Sequence, residues 1–450
     1  MPDDTTPTKT EYRSALAPTH IQPMNKAGKW FWLAIVLLAI VFSMGVGGFI
    51  WRWQSGWDDR PAWGYYAATF SFLLSTAQTA PLISAGLRLV AGPWRRPLAR
   101  PAELFAFVGI LNILWFIPLL KVVPDTQHRR SIWFDSPISF QIWETIALAI
   151  LISCGLCLLY LASMPDIAAK VSKAPGKQGF PGPLGLSWRG NPHQWRILKL
   201  GLVVLGAGYI IFLTFQQTIF ASDFGLSLVP GWKDALFPAY HIVSSLQAGT
   251  ALLTVSLFLL RQWGGLKDYI GLDTFKGLGR LLLVLTLLWF YFWWSSFIVF
   301  WYGRRPEEQL LLQLFVSGPI RPLFTLVLIL NFVLPFLLLL WNPIRKSIAG
   351  PVIVSVFILS GTLLDRIRLF TTAFSVTESG EVIKTLPPTR LPDTADIFIL
   401  MGGLAGMALT YLVATRLLPV LSYWEITQGK ILESEKQFGL RKVRMVAKPD

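Results

Sequence analysis

The sequence predicts an all-α polytopic membrane protein of about ten transmembrane helices. They are arranged as two four-helix bundles with one further helix on either flank. Three observations predict this class. Of the 450 residues, 53% are hydrophobic and only 14% charged, whereas soluble domains carry about a quarter charged residues. Twenty Trp and 31 Phe supply the aromatic weight of interfacial belts. Ten separate apolar stretches match the ~20 helical residues that a bilayer core requires, and mean hydropathy is +0.53.

Taken in order, residues 1–29 are polar and rich in Pro and Thr, and read as a flexible cytoplasmic arm. No short apolar region with a small-residue cleavage site precedes the first span, so no removable signal peptide is expected. Span 1 is 30–51. Spans 2 to 5 (64–90, 102–121, 138–161 and 197–219) form the first bundle, over 64–161 and 197–219. The Gly- and Pro-rich cytoplasmic loop 162–196 interrupts it and reads as irregular. Spans 6 to 9 (236–260, 278–302, 318–341 and 349–370) form the second bundle, 236–370; span 10 is 396–418, and 419–450 is a polar cytoplasmic tail. Spans 2–5 and 6–9 form a weak internal repeat. Each set carries an outer loop with paired arginines, Arg129–Arg130 and Arg304–Arg305. Four helices is an even number, so the copies run parallel.

Orientation follows from the basic residues. With loops assigned alternately to two sides, 27 of the 40 Lys and Arg fall on the side that holds both termini, and 13 on the other. That bias puts both termini in the cytoplasm. The same distribution argues against nucleic acid as partner, because the net charge of +15 sits in short loops between apolar runs.

Polar groups at membrane depth are costly and mark candidate sites. Span 2 has Thr76, Gln78 and Thr79; span 3 has Asn112; span 4 has Gln141, Glu144 and Thr145. Span 6 has His241, Ser244, Ser245 and Gln247; span 8 has Arg321 and Asn331; span 9 has Asp365, Arg366 and Arg368. Asn112, Gln247 and Asn331 fit helix packing, and Arg321, Arg366 and Arg368 fit snorkelling toward the outer surface. Glu144, beside Trp143, reads either as an interfacial carboxylate or as a functional one. His241 reads either as a hydrogen-bonded structural histidine or as a proton carrier. Cys154 and Cys157 share one side of a helix, with no His or Cys cluster to complete a metal site. Gly402 and Gly406 form a small-residue packing surface.

One intramembrane His cannot supply the paired axial ligands of a membrane cytochrome b, and no nucleotide-binding loop is present. The chain is therefore expected to hold no haem or metal of its own. A solute transporter fits the ten spans, but the sequence offers no convincing pair of broken helices.

Three stretches carry a resemblance. WGYYAATFSFLLSTAQTAPLISA is followed at once by WRRPLARPAELFAF; SPISFQIWETIAL leads into YLASMPDIA; LGLSWRGNPHQW precedes SDFGLSLVPGWKDALFPAYH. Together they resemble the NrfD/polysulfide-reductase membrane-subunit family, and most of all the NrfD-like subunits of alternative complex III, the quinol-oxidising complex of some respiratory and photosynthetic bacteria. The resemblance implies two four-helix bundles, a bacterial inner-membrane location and a quinol pocket near the outer face. It also implies menaquinol or another quinol as substrate, and as partners an extrinsic iron–sulfur subunit, multihaem cytochrome c subunits and a paralogous NrfD-like membrane subunit.

The departures locate the candidate residues. Gln78 stands where the family's quinol-binding subunit usually has a histidine. Either Gln141 or, with a three-residue insertion, Glu144 takes the place of an aspartate after Ser136-Pro137. Lys233 follows Trp232 where the family often has His. Gln hydrogen-bonds a quinone oxygen but accepts no proton near neutral pH, and quinol oxidation needs a titratable base. Glu144 is accordingly the candidate catalytic residue. Gln78, Thr79, Gln141 and Trp143 are the candidate quinol contacts, and His241, Asp365 and Arg366 are candidates for a proton path.

Overall fold

In a bilayer every backbone N–H and C=O needs an internal partner, so an apolar run folds as helix. The computed structural model describes residues 28–124, 136, 138–172, 188, 190–377, 383, 385–438 and 441–446, and has helix at all ten apolar stretches. Span 1 is α1 (Lys29–Gln54). Span 2 is divided into α2 (Gly64–Thr76) and α3 (Ala80–Leu89). Span 3 joins α4 (Arg96–Glu103) to α5 (Val108–Val122) through a 3-10 turn. Span 4 is α6 (Phe140–Ser172), span 5 α7 (Pro192–Phe224), span 6 α8 (Phe237–Trp263) and span 7 α9 (Leu272–Gly303). After α10 (Pro306–Leu312), span 8 comprises α11 (Arg321–Leu328), a π-helical turn and α12 (Leu334–Leu340). The short α13 (Asn342–Arg345) precedes span 9, α14 (Ala349–Ser375), and span 10 is α15 (Thr394–Leu417). By length and composition, eight helices among the described residues can cross a membrane. The protein is a multi-pass, all-α membrane protein.

Helices α6 and α7 each have 33 residues, about 50 Å at 1.5 Å per residue, well beyond a hydrocarbon core of about 30 Å. The expected irregular loop 162–196 is correspondingly shorter, because 162–172 and 192–196 are helical. At the far end of the loop Asn191 caps α7 by accepting from Gln194 N at 2.8 Å, with Pro192 at the first helical position. The core of the loop, the N-terminal arm up to residue 27 and most of the outer loop 122–137 with Arg129–Arg130 lie outside the described residues.

Neighbouring spans pack in two rings. In the first, α3 packs on α7, α7 on α6, and α6 on the span containing α4 and α5, which returns to α3. In the second, α8 packs on α9 and α14, and α12 on α9 and α14. The rings meet where α2 packs on α14 and α8, and α7 on α8. The flanking helices α1 and α15 run together. Their approach depends on glycine: a Cβ on Gly45 would lie 2.5 Å from Gly402 Cα, and one on Gly406 would lie 2.8 Å from Phe42 Cδ2. Replacing Gly402 with Leu should part this pair and destabilise the protein by about 1–3 kcal/mol, as overpacking does. Thermal melting of the solubilised protein measures it, and an unchanged midpoint contradicts the close packing. Arg52 of α1 locks the same pair at one end. It donates to Asp393 at 2.6 Å and Asp396 at 2.8 Å, which form a capping box at the start of α15.

The tail is more ordered than a polar sequence suggests. It forms α16 (Tyr423–Leu432) and an antiparallel hairpin, β1 (Glu433–Phe438) and β2 (Arg441–Val446). Long-range ion pairs hold α16 in place. Arg88 bridges Glu103 at 2.6 Å and Glu425 at 2.8 Å, and Arg100 meets Asp166 at 3.0 Å. The Trp424 backbone N–H and indole donate to Asp166 and to the Ala162 carbonyl. Burial resists ionisation of Glu425, but the charges of Arg88 and Arg95 and the Arg88 hydrogen bond outweigh it and hold the carboxyl below its usual range. The contacts at the Ala162 carbonyl and Asp166 flank Pro165, which lies inside α6.

Candidate functional site

Pro81 breaks span 2. It has no N–H to offer the carbonyl four residues back, and its ring crowds that carbonyl. Residues 77–79 form a turn between α2 and α3. The break frees the Gln78 carbonyl, and the Tyr209 hydroxyl of α7 donates to it at 2.7 Å and lies 3.3 Å from Gln78 Oε1. Gln78 is fully buried, and its Nε2 has no hydrogen-bond partner among the described residues. Thr79 turns toward α8, where Gly249 makes room: a Cβ there would come within 2.7 Å of Thr79 Cβ. Span 8 is interrupted too, by the π turn Ile329–Val333, and a second π turn, Gln313–Ser317, precedes it. Span 6, the repeat counterpart of span 2, is the continuous α8. The discontinuities therefore do not fall at corresponding positions of the repeat, as a transporter pair would require.

Glu144 lies in the first turns of α6, fully buried, and accepts from Gln216 Nε2 of α7 at 3.2 Å. Tyr209 and Gln216 are seven residues apart. Two helical turns put them on one face of α7, about 10 Å apart along its axis. One side of α7 thus holds Gln78 through Tyr209 and Glu144 through Gln216. The other candidates on α6 are arranged differently. Gln141 is half-buried, with its carbonyl accepting from Thr145. Trp143 is half-buried and its indole N–H donates to Ser136. The structure gives neither a contact with Gln78.

A second polar cluster joins α2, α8 and α14. Asp365 accepts from the Tyr240 hydroxyl at 2.8 Å and from Arg368 at 2.7 Å, and lies 3.7 Å from Arg366. Arg366 donates to Ser75 at 3.2 Å and to Ser245 at 3.4 Å, and His241 Nε2 lies 3.2 Å from Ser71 Oγ. Arg366 and Arg368 are buried, which corrects the snorkelling expected of them. Internal partners, including the Phe315 carbonyl for Arg368, replace water. Arg321 alone of the three is exposed. One carboxylate facing two guanidiniums carries a large desolvation cost, compensated only while every member stays.

The packing roles expected of two residues hold: Gln247 Nε2 donates to Thr286 and to the Asn331 carbonyl, and Asn331 Oδ1 accepts from Thr362. The cysteine pair is split, since Cys154 is buried and Cys157 exposed. Among the described residues no group of three or more His, Cys, Asp or Glu could hold a metal. Sequence reasoning missed Tyr209, Gln216, Gln217, Tyr240 and the cluster formed by Arg88, Arg100, Glu103, Asp166 and Glu425. Gln216 and Gln217 were within reach, as adjacent amides inside an apolar span. The others are polar only at the ends of spans, or are aromatic, and nothing local marks their partners.

The fold and the clusters of buried polar groups define a polytopic membrane subunit built around two rings of four helices. The profile of the polysulphide reductase, NrfD family matches residues 53–377. This is nearly three quarters of the chain, and the protein belongs to that family. Members of the family are membrane subunits of quinone-linked redox complexes, where they partner iron–sulfur and cytochrome subunits. No curated protein sequence matches the chain.

Proposed function

We propose that the chain is the quinol-handling membrane subunit of a multisubunit quinol-oxidising complex of the alternative complex III type. The observation that supports this best is the shared face of α7, where Tyr209 engages Gln78 and Gln216 engages Glu144. Oxidising one quinol, of the menaquinol class, releases two electrons and two protons. Gln78 orients the headgroup through its free amide N–H groups. Glu144 accepts the two protons in succession, passing on the first before it takes the second, since no amide can. The electrons leave to cofactors of an extrinsic iron–sulfur subunit and multihaem cytochrome c subunits, anchored by this chain beside a paralogous NrfD-like membrane subunit. The chain itself holds no haem, metal or flavin in this reading. His241, Asp365 and Arg366 supply a polar route through the second ring. Quinol-to-cytochrome turnover of the intact complex carrying Glu144→Gln tests the assignment.

A second reading is a catalytically silent scaffold, with quinol oxidised in the paralogue. One observation favours it: the Tyr209 hydroxyl sits against both acceptor atoms of Gln78, and Gln78 replaces the expected histidine. The same turnover measurement separates the two readings.

In this reading the chain lies in the bacterial inner membrane with both termini cytoplasmic, an orientation that the 27-to-13 basic bias supports. Arg305 and Lys267 are exposed in loops at opposite ends of α9. With the native cysteines replaced, a membrane-impermeant thiol reagent added outside should label Arg305→Cys and miss Lys267→Cys. The reverse pattern overturns the orientation.

A further inference from the structure

Between the two rings, where α3, α7 and α8 meet, lies a cavity of about 100 Å³. Its apolar wall includes Leu82, Leu213 and Ile242, and its polar groups are Thr79, Thr214, Gln217 and Ser245. Thr214 is exposed on the outer surface of α7, and Ile211 beside it is 65% exposed, so the cavity borders the lipid. Gln217 follows Gln216 on α7 and points about 100° away from it. It faces this seam rather than Glu144.

Two buried groups in the cavity have no partner among the described residues. Gln217 is 1% exposed, and neither its Oε1 nor its Nε2 has a hydrogen-bond partner among the described residues; Thr79 is fully buried, and its hydroxyl likewise has none there. Many span threonines bond back onto their own helix. Thr69, Thr76, Thr214, Thr218, Thr250 and Thr254 all donate to the carbonyl four residues back. The break at 77–79 takes that option from Thr79 and aims its hydroxyl into the cavity. A buried amide and hydroxyl left unpaired each forgo a hydrogen bond that water would give them, which a ligand can restore. Among the described residues no charged side chain lines the space, so an ionic headgroup finds no counter-charge there.

We infer that this seam is a second, lipid-accessible binding site for a neutral headgroup bearing carbonyl or hydroxyl oxygens on an apolar tail. Gln217 and Thr79 are its hydrogen-bonding residues. A quinone and a glyceride ester share that chemistry. The site lacks a titratable base, so it binds without proton transfer, and it does not depend on the turnover assigned to Glu144.

The test is photolabelling of the full chain in its native complex, in membranes, with two probes carrying the same diazirine: a short-chain naphthoquinone and a diacylglycerol. Labelled peptides are mapped by mass spectrometry. At least one probe should label residues within 210–217 and 242–246. Gln217→Leu should lower that labelling about tenfold, as should the nearly isosteric Thr79→Val, which spares the packing. Label from the naphthoquinone assigns the site to quinones, and label from the diacylglycerol alone assigns it to lipid esters. No label at the seam from either probe, or equal label in both variants and the parent, overturns the inference. Glu144→Gln should leave seam labelling intact, so failure of the turnover reading is distinguishable from failure here.

Discussion

Replacing Glu144 with glutamine should lower quinol oxidation by the intact complex about 10²-fold or more. The amide keeps the size and shape of the side chain, and Gln216 can still hydrogen-bond it, so the packing of α6 on α7 is preserved. What disappears is the carboxylate that Gln216 joins to the α7 face. General-base catalysis contributes about 10²–10⁴-fold, which sets the size of the effect. Gln78→Leu should act differently, weakening quinol binding by about 1–3 kcal/mol through one lost buried hydrogen bond and leaving the maximal rate less affected. Steady-state kinetics with a soluble quinol and cytochrome acceptor separates the two effects. Parental turnover in both variants, with assembly intact, is the result the scaffold reading requires.

Asp365→Leu should cost about 3–5 kcal/mol of stability. Asp365 is the carboxylate that Arg368 and Tyr240 address and Arg366 lies beside. Its removal leaves two guanidiniums in a buried site with only hydroxyl and carbonyl partners, and breaking a buried pair from one side carries a penalty of that size. Removing Arg368 as well should restore a substantial part of the loss, because the double variant buries one charge fewer. Unfolding midpoints of parent, single and double variants in one detergent give the comparison. A single variant as stable as the parent would mean that the cluster is already neutral or hydrated.

The parts of the fold legible in the sequence were those fixed by composition over twenty or more residues. The apolar length of α1, α8, α9 and α15 shows directly, and Gly402 and Gly406 mark a packing surface on α15, though nothing local names α1 as its partner. Glu144 and Gln78 were found because a carboxylate and an amide in an apolar run stand out without any partner. Their link was not legible, because it runs through α7 residues 131 and 72 positions away. Burial of Arg366 and Arg368 was misjudged for the same reason: proximity to a span end suggests water, but the partners that replace water lie on α2, α8 and the turn before α11. The break at 77–79 could have been read from Pro81, which stands in mid-span, had the cost of its missing N–H been applied there. The order in the tail was hidden because α16 is held by Arg88, Arg100 and Asp166, all distant in the chain.

The most direct measurement is a cryo-electron microscopy map of the assembled complex prepared with excess quinol. The expected result is headgroup density within this chain, in hydrogen-bonding reach of Glu144 or Gln78 along the Tyr209–Gln216 face of α7. Headgroup density in the paralogous subunit alone, with the space around Glu144 closed by protein side chains, would contradict a quinol-oxidising role for this chain.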